Sequence, residues 1–286
     1  MSVLVPIMLR TFGRTGSTLL MQILGTDQRI CFERIYPFEQ RYLTYVYNMA
    51  RMVRATPRRE DKQWNNDVLF QSRHREVGCL PYGKVEAFDK EQLSTDCFLA
   101  LWEQFSNAMC EKQAISDEEV AYYAEKVPNQ VANYANEHLK ARNIFLLRDP
   151  RDEMVSIMSF NQKRGFNSFG WQEGDSDISY AKKICSNRRQ FLQHLVSFET
   201  NHRRISIRYE DLIRHGDREV DRLSDWLGVS LSMKEATRDK AIKKRHMTSN
   251  SLLSSVERWK SELSKDVLDI FRHEIGSELR DLGYTV

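Results

Sequence analysis

The feature that most constrains the fold of this 286-residue chain is a glycine-containing turn between an apolar run and a helix-forming run. Val3 to Leu9 has the length and composition of a buried strand, and Ser17 to Leu24 favours a helix that ends at Gly25. Gly13 and Gly16 lie between the two runs and allow the backbone to turn tightly. The pattern therefore predicts a strand, a tight turn and a helix in succession.

This first turn has the composition of an anion-binding site. The unpaired amides and the positive dipole end of the new helix attract a negatively charged group. Arg14 and the hydroxyls of Thr15, Ser17 and Thr18 add hydrogen-bond donors at the same place. We therefore predict that a phosphate or sulfate group binds here.

The spacing of the turn argues against a nucleoside triphosphatase of the P-loop class. That class places a lysine directly after the last glycine, whereas here Ser17 follows Gly16. The cation lies inside the turn instead, at Arg14. A kinase or hydrolase that uses ATP and Mg²⁺ is kept as an alternative, as is a glycine turn that binds no ligand.

A second strand, turn and helix are predicted near the middle of the chain. Asn143 to Leu147 has the pattern of a short buried strand, and Glu153 to Ser159 favours a helix. Asp149 suits the N-cap of this helix, Pro150 suits its first position, and Asp152 is expected to close a capping box. The turn between strand and helix is therefore well defined by its composition.

Two polar residues of this second unit are candidate ligand-binding residues. Arg148 stands at the carboxyl end of the predicted strand, and Ser156 lies two turns into the helix. In open α/β sheets the ligand binds in the crevice beyond the strand ends. We expect both side chains to face the same crevice as the first turn.

The rest of the chain predicts a three-layer α/β fold with a mainly parallel central sheet, in a single domain of residues 1–286. The further predicted elements are helices at Phe38–Val53, Glu91–Cys110, Asn129–Leu139, Ser179–Asn201, Glu210–Leu227 and Trp259–Leu282, and strands at Val120–Val127 and Ile205–Tyr209. A basic run from Arg238 to His246 leads into a Ser/Thr-rich stretch, Thr248 to Ser255. This segment is either a mobile flap over an anionic ligand or a solvated charged face.

Composition limits the functional classes. A net charge of +3 permits anionic ligands without requiring nucleic acid, and the seven histidines show no spacing typical of metal ligands. Five scattered cysteines without a C-x-x-C pair favour reduced thiols in a cytoplasmic protein. Neither secretion nor membrane association is expected, because the apolar start is short and no long apolar run follows.

With both turns identified, the sequence resembles the sulfotransferases that use 3′-phosphoadenosine 5′-phosphosulfate (PAPS). The likeness is to the bacterial branch that modifies carbohydrates and small molecules. Five segments stand in the family's usual order: Phe12–Leu20, Glu125–Pro128, Leu147–Asp152 with Ser156, Arg208–Leu212, and Arg258–Trp259. Each segment is modest alone, and the five in order span most of the chain.

The resemblance implies a site for each end of PAPS. The loop for the 5′-phosphosulfate would comprise Gly13, Arg14, Thr15, Gly16, Ser17, Thr18 and Leu19. Arg148 and Ser156 would bind the 3′-phosphate, Tyr209 would lie near the adenine, and Arg258 would complete the cofactor site. The cytosolic animal enzymes have tryptophan where Leu19 stands and lysine where Arg14 stands, so what stacks on the adenine stays open.

The chemistry that the resemblance implies needs no metal. An acceptor oxygen or nitrogen attacks sulfur in line, while Arg14 and Lys126 stabilise the charge on the leaving phosphate. Glu33 is predicted to be the base, since trehalose-type bacterial enzymes have a glutamate shortly after the phosphosulfate loop. The alternative is an ion pair of Glu33 with Arg34 or another nearby arginine, which would hold the loop in place. His74 is the second candidate for the base, although its setting differs from that of the animal enzymes' histidine.

The predicted function is sulfuryl transfer from PAPS, which leaves 3′-phosphoadenosine 5′-phosphate (PAP), to a hydroxyl or amine of a small-molecule or carbohydrate acceptor. A catalytically silent, anion-binding interaction protein is a second alternative beside the kinase. The surroundings of Glu33, the tyrosine-bearing helix and the long loop Asn65–Gly83 are expected to shape the acceptor pocket. Their composition identifies neither the acceptor nor the oligomeric state.

Overall fold

The computed structural model describes residues 3–54, 89–113, 121–238 and 247–286. His74, the loop Asn65–Gly83 and the basic residues at 239–246 lie outside the described residues. No helix in the described ranges has both the length and the apolar character needed to cross a bilayer.

The centre of the fold is a parallel sheet of five strands in the order β2-β3-β1-β4-β5. The strands are β1 (Val5–Arg10), β2 (Ile30–Cys31), β3 (Tyr122–Lys126), β4 (Arg142–Leu147) and β5 (Arg204–Arg208). Parallel strands need crossover connections, and helices supply them here. The predicted α/β fold with a parallel sheet is thus confirmed.

The described helices carry the chain between and beyond the strands. They are α1 (Ser17–Leu24), α2 (Tyr42–Val53), α3 (Lys90–Gln113), α4 (Asn129–His138), α5 (Pro150–Arg164), α6 (Asp177–Val196), α7 (Tyr209–Arg214), α8 (Gly216–Leu227), α9 (Met233–Ala236), α10 (Trp259–Glu262) and α11 (Lys265–Asp281), with a 3₁₀ turn at Leu253–Ser255. Each predicted helix and strand has a counterpart in the structure, most with shifted ends, and two of the predicted helices are each divided into two.

Alternate residues of β4 show the three layers directly. Ile144 and Leu146 join the core cluster that contains α1 and α2, whereas Phe145 and Leu147 join a second cluster with α5, α6 and α11. Successive side chains of a strand point to opposite faces of the sheet. At β4 the sheet therefore has hydrophobic side chains on both faces, and helices cover each face.

Several predicted element ends were wrong for local conformational reasons. Helix α2 begins at Tyr42 and not at Phe38, because Phe38 has φ of 61°, which no α-helix includes. The helix predicted from Glu210 is interrupted at His215, whose φ and ψ of −131° and 42° are not helical. Tyr209, predicted to end a strand, instead opens α7.

The predicted terminal helix is also divided. Leu263 is extended, with φ and ψ of −102° and 141°, so α10 ends before it. The hydroxyl of Ser264 then accepts a hydrogen bond from the amide of Val267 and caps α11. A serine that caps a new helix terminates the previous one, and composition alone does not reveal this break.

The strand order identifies where the sheet offers a ligand crevice. The connection after β1 leads towards β2 at one edge, whereas the connection after β4 leads towards β5 at the other edge. Neighbouring strands whose connections diverge in this way define a topological switch point. The loops after β1 and β4 therefore border a crevice at the carboxyl ends of these two strands.

Candidate functional site

The loop after β1 needs glycine at two positions for different reasons. Gly16 has φ of 94°, and a Cβ there would lie 2.4 Å from the ring of Tyr209. A Cβ at Gly13 would lie 2.4 Å from the ring of Phe169. Arg14 itself has φ of 63°, so the loop reverses sharply between β1 and α1. Two aromatic rings thus pack directly on the backbone of this loop.

Threonine hydroxyls attach the loop to the sheet. Thr15 Oγ1 donates to the carbonyl oxygen of Phe12 at 3.0 Å and lies 2.6 Å from Thr11 Oγ1. Thr11 Oγ1 donates in turn to the carbonyl oxygen of Leu146 on β4, at 2.8 Å. The hydroxyl of Thr15 therefore holds the loop in shape, which is a structural task beside the predicted ligand contact.

The first turn of α1 keeps the character of an anion site. Its N-cap is Gly16, which offers no side chain to the first amides, and the first turn holds no acidic residue. Ser17 and Thr18 open the helix, and Thr18 is buried. An anion at this end is favoured by the helix dipole and by amides that no cap side chain accepts from.

The second turn confirms one predicted cap and corrects another. Asp149 caps α5, because its carboxylate accepts from the amide of Arg151 at 2.9 Å. The capping box that we predicted for Asp152 is absent: its oxygens accept from the amides of Glu257 at 2.6 Å and Trp259 at 3.0 Å. These amides come from a segment about a hundred residues away, which a local pattern does not report.

The two turns meet in one crevice. Arg148 Nη1 donates to the carbonyl oxygen of Arg14 at 2.8 Å, and Arg14 Nε donates to Ser156 Oγ at 3.1 Å. Burial, followed by the charge of Arg148, lowers the pKa of Arg14 to about 10, so its guanidinium stays charged at neutral pH. The arrangement holds two buried cations close together, which favours a ligand with more than one negative charge.

Arg148 also has a buried hydrogen-bond donor that a phosphate oxygen could accept from. Its Nε is buried and has no hydrogen-bond partner within the described residues. A buried donor without a partner costs free energy, and a phosphate oxygen is a strong acceptor. Its guanidinium lies 4.6 Å from the centre of the Tyr209 ring, which therefore packs between Arg148 and Gly16.

Residues 247–258, which we term the covering segment, close the crevice from outside. Arg148 Nη2 donates to the carbonyl oxygen of Ser255 at 2.6 Å, and the hydroxyls of Ser255 and Tyr209 are 2.7 Å apart. Arg258 donates to Thr248 Oγ1 at 3.2 Å and to Ser159 Oγ at 2.9 Å. The part of the predicted flap that the structure describes therefore lies on the candidate site.

The cavity left beneath the covering segment is small. It measures about 70 Å³, and Leu19 lines it together with Arg14, Arg148, Ser156 and Tyr209. Ligand pockets for nucleotide-sized molecules usually measure about 300–1,000 Å³. We therefore expect the covering segment to move away from Arg148 when a nucleotide enters.

Lys126 lies at the other side of the loop, at the end of β3. Its Nζ donates to the carbonyl oxygen of Phe12 at 3.1 Å and lies 3.9 Å from the Glu39 carboxylate. Burial lowers the pKa of Lys126, while the charge of Glu39 opposes this shift. Lys126 thus lies beside the loop after β1, where the resemblance places the phosphosulfate.

Glu39 is a candidate residue that sequence reasoning missed, and Glu33 lacks the contacts that we expected. Glu33 is half-buried and has no hydrogen bond or ion pair among the described residues. The alternative ion pair with Arg34 is absent, because Arg34 donates to the carbonyl oxygens of Gly25 and Asp27. Glu39 stands three residues before α2, and only the folded chain reveals its approach to Lys126.

Glu125, the residue before Lys126, is buried and connects β3 to the start of α2. Its carboxylate accepts from the amides of Leu43 at 2.7 Å and Thr44 at 3.1 Å, and from the hydroxyls of Thr44 and Tyr123. Tyr123 accepts from the amide of Tyr42, so two side chains of β3 satisfy the first amides of α2. Burial raises the pKa of Glu125 to about 7 against these hydrogen bonds, which lower it.

We expect the stability of the protein to depend on pH through Glu125. Burial raises the pKa of this carboxyl from 4.5 in the unfolded chain to about 7 in the folded protein. Its contribution to the free energy of unfolding is therefore largest at or below pH 4.5 and is lost as pH rises from 4.5 through 7. The unfolding free energy of the wild type, relative to Glu125→Gln, should fall by about 3 kcal/mol over this range. Urea unfolding of both proteins at several pH values measures this difference. A difference that does not change with pH would show that the hydrogen bonds keep the buried carboxylate ionised.

Comparison with known proteins gives consistent results. The profile described as the sulfotransferase family matches residues 6–233. The sulfotransferase domain from the curacin biosynthetic pathway is similar in structure, with 16% identity, a TM-score of 0.54 and coverage of 100% of both chains. The sulfotransferase domain from the Synechococcus PCC 7002 olefin synthase has 15% identity and a TM-score of 0.50, over 96% of this chain and 95% of that one. No curated protein matches the chain. At these identities the structural likeness shows the fold.

Proposed function

The chain belongs to the sulfotransferase family, and we propose that it takes the sulfuryl group from PAPS and gives it to a hydroxyl or amine of a small-molecule or carbohydrate acceptor. The observation that carries this proposal is the contact between the two phosphate sites. Arg14 belongs to the loop after β1 and Ser156 to the helix after β4, yet Arg14 Nε and Ser156 Oγ are 3.1 Å apart. One crevice with two anion sites suits a nucleotide that carries phosphates on both its 3′ and 5′ sides.

In this proposal PAPS supplies the activated sulfuryl group, and the protein supplies position and charge. The new bond joins the acceptor atom to sulfur while the bond from sulfur to the phosphate oxygen breaks, and PAP leaves. Arg14, Lys126 and the first amides of α1 stabilise the negative charge that collects on this phosphate. A carboxylate takes the acceptor's proton. Glu33 is the candidate from sequence, and Glu39 is the candidate that its distance to Lys126 favours.

We treat residues 1–286 as one domain in this proposal. The two hydrophobic cores share β4 as a common wall, which supports a single folding unit.

The binding of PAP tests the proposal against the kinase alternative. PAP should bind and raise the melting temperature by linkage, whereas ATP with Mg²⁺ should do so much less. Calorimetry with both ligands gives the comparison, and AMP serves as the control because it lacks the 3′-phosphate. Tighter binding of ATP with Mg²⁺ than of PAP would refute the sulfotransferase proposal. Acceptor screening with labelled PAPS then separates an enzyme from a silent binding protein.

We expect Arg148→Ala and Ser156→Ala to weaken the binding of PAP far more than the binding of AMP. Both side chains are assigned to the 3′-phosphate, which AMP lacks, and loss of one charged hydrogen-bonding partner typically weakens binding by about 10- to 100-fold. Arg164→Ala is the matched control, since this exposed arginine lies on the same helix α5. Calorimetric titration of each variant with PAP and AMP provides the measurement. Equal losses for the two nucleotides would show that these residues do not recognise the 3′-phosphate.

A further inference from the structure

A groove separate from the nucleotide crevice lies on the face of the sheet that carries α4 and α6. Its volume is about 900 Å³, and Arg10 of β1 with Asn143 and Phe145 of β4 line it. A groove of this size accommodates a ligand of several sugar or amino-acid units. It lies away from the surroundings of Glu33 and α2, where we expected the acceptor pocket.

Carboxamide side chains line both walls of the groove. They are Asn129, Asn133 and Asn136 from α4, Asn143 from β4, Asn187 and Gln190 from α6, and Asn201 before β5. Asn136 and Asn143 bond to each other, which fixes their orientation at the floor. A carboxamide both donates and accepts, so it matches hydroxyl groups, which also do both. The walls therefore suit a ligand rich in hydroxyls.

The charge in the groove is entirely positive. Arg10, Arg203 and Arg204 line it, and no aspartate or glutamate belongs to its described lining. Arg10 Nη2 donates to Asn129 at 2.6 Å, while its Nε is buried without a hydrogen-bond partner among the described residues. Burial lowers the pKa of Arg10. Burial, followed by the charges of Arg204 and Arg10, lowers the pKa of His194. An anionic ligand would offset a half-buried cation that no carboxylate here offsets.

One end of the groove reaches the proposed transfer point. Phe12, Val127 and Pro128 line this end. Phe12 supplies the carbonyl oxygen that Lys126 binds, and Val127 and Pro128 directly follow Lys126. The ring of Phe12 lies 3.6 Å from the Arg188 guanidinium and 5.1 Å from the Phe191 ring, so α6 holds it in place. A ligand in the groove therefore ends beside the phosphosulfate loop.

We propose that this groove binds the sulfuryl acceptor, and that the acceptor is an anionic carbohydrate with carboxylate or sulfate groups beside its hydroxyls. This inference rests on the proposed function, since it names the substrate class for the same transfer reaction. The carboxamides bind the sugar hydroxyls, the arginines bind the acidic groups, and the aromatic side chains pack against the sugar rings.

Calorimetry with defined oligosaccharides tests the groove without using activity. The full-length protein, saturated with PAP, is titrated with tetragalacturonate and with the neutral maltotetraose. We expect tetragalacturonate to bind at least about tenfold more tightly than maltotetraose, because only the former engages the arginines. Arg10→Gln and Arg203→Ala should each weaken the binding of tetragalacturonate by about tenfold or more. Arg203 is exposed, so its variant is expected to fold normally even if Arg10→Gln does not.

Arg189→Ala provides the matched control on α6, the helix that supplies Asn187 and Gln190 to the groove. Arg189 pairs with Glu274 on α11 and does not line the groove, so its removal should leave the affinity for tetragalacturonate unchanged. Equal binding of the two oligosaccharides, no binding of tetragalacturonate, or unchanged affinity in both groove variants would overturn the inference. If the protein binds PAP but gives any of these results, only the groove inference is refuted and the proposed function stands. If the protein does not bind PAP, the proposed function itself is refuted.

Discussion

Replacing Glu39 by glutamine should lower kcat by about 10²–10⁴-fold, the usual contribution of a general base. Glu39 carries the carboxylate that lies 3.9 Å from Lys126 Nζ, beside the loop where the sulfuryl group would be held. Glutamine keeps the shape and most hydrogen bonds of this side chain but cannot take a proton. The rate of sulfuryl transfer is measured with saturating PAPS and an acceptor found by screening, and PAP affinity should stay unchanged.

Glu33→Gln is the matched control for this prediction. Glu33 precedes the same helix and has no described hydrogen bond or ion pair, so its variant should retain most activity. Loss of turnover in Glu33→Gln with normal Glu39→Gln would return the role of base to the residue predicted from sequence. If both variants are active, His74→Ala is the next test, and normal turnover there would indicate transfer without a dedicated base.

Arg14→Ala should lower kcat by about 10²–10³-fold while weakening PAP by only about tenfold. The Arg14 guanidinium is buried and, with a pKa of about 10, charged at neutral pH. A fixed charge in a buried site acts most strongly on charge that develops during the reaction, which here is the charge on the leaving phosphate. Single-turnover rates with PAPS and calorimetry with PAP measure the two effects separately.

Arg14→Lys provides the control that keeps the charge. It should recover most of the lost rate, because a lysine ammonium stabilises the same phosphate as a point charge. It loses the geometry of the Nε contact to Ser156, so its PAP affinity should stay slightly below that of the wild type. Equal losses of rate and of PAP affinity in Arg14→Ala would show that Arg14 binds the ground state and the transition state alike.

The sequence predicted those parts of the fold and the candidate site that depend on short stretches of chain. The apolar runs of β1 and β4, and the glycine turn before α1, are local patterns, and each is present in the structure. The expectation that Arg148 and Ser156 share a crevice with Arg14 needed one further rule, that ligands bind beyond the ends of parallel strands. This rule placed three side chains together correctly, as the contacts of Arg14 show.

The parts that the sequence did not predict depend on contacts between distant segments. Asp152 has the spacing of a local capping box, yet its oxygens accept from the amides of Glu257 and Trp259. The distant segment offers two donors to this carboxylate, whereas a capping box would offer one. Glu39 lies near Lys126 in the folded chain, in which Glu125 of β3 accepts a hydrogen bond from the amide of Leu43 in α2. The carboxamide groove likewise combines α4 and α6, whose individual polar residues read as ordinary solvent-exposed positions.

In the proposed function, the covering segment competes with the nucleotide for the same crevice. The Ser255 carbonyl oxygen accepts a hydrogen bond from Arg148 Nη2 at 2.6 Å, and Arg148 is the residue proposed to bind the 3′-phosphate of the nucleotide. Any free energy that holds this internal ligand in place is subtracted from the affinity for the nucleotide, whose apparent Kd rises as the open fraction falls. The same opening must precede each binding event, so the association rate should level off at high nucleotide concentration instead of rising in proportion. In the proposed function, the strength of a few contacts at Ser255 would therefore set both the affinity for the nucleotide and the rate at which PAP is exchanged for PAPS.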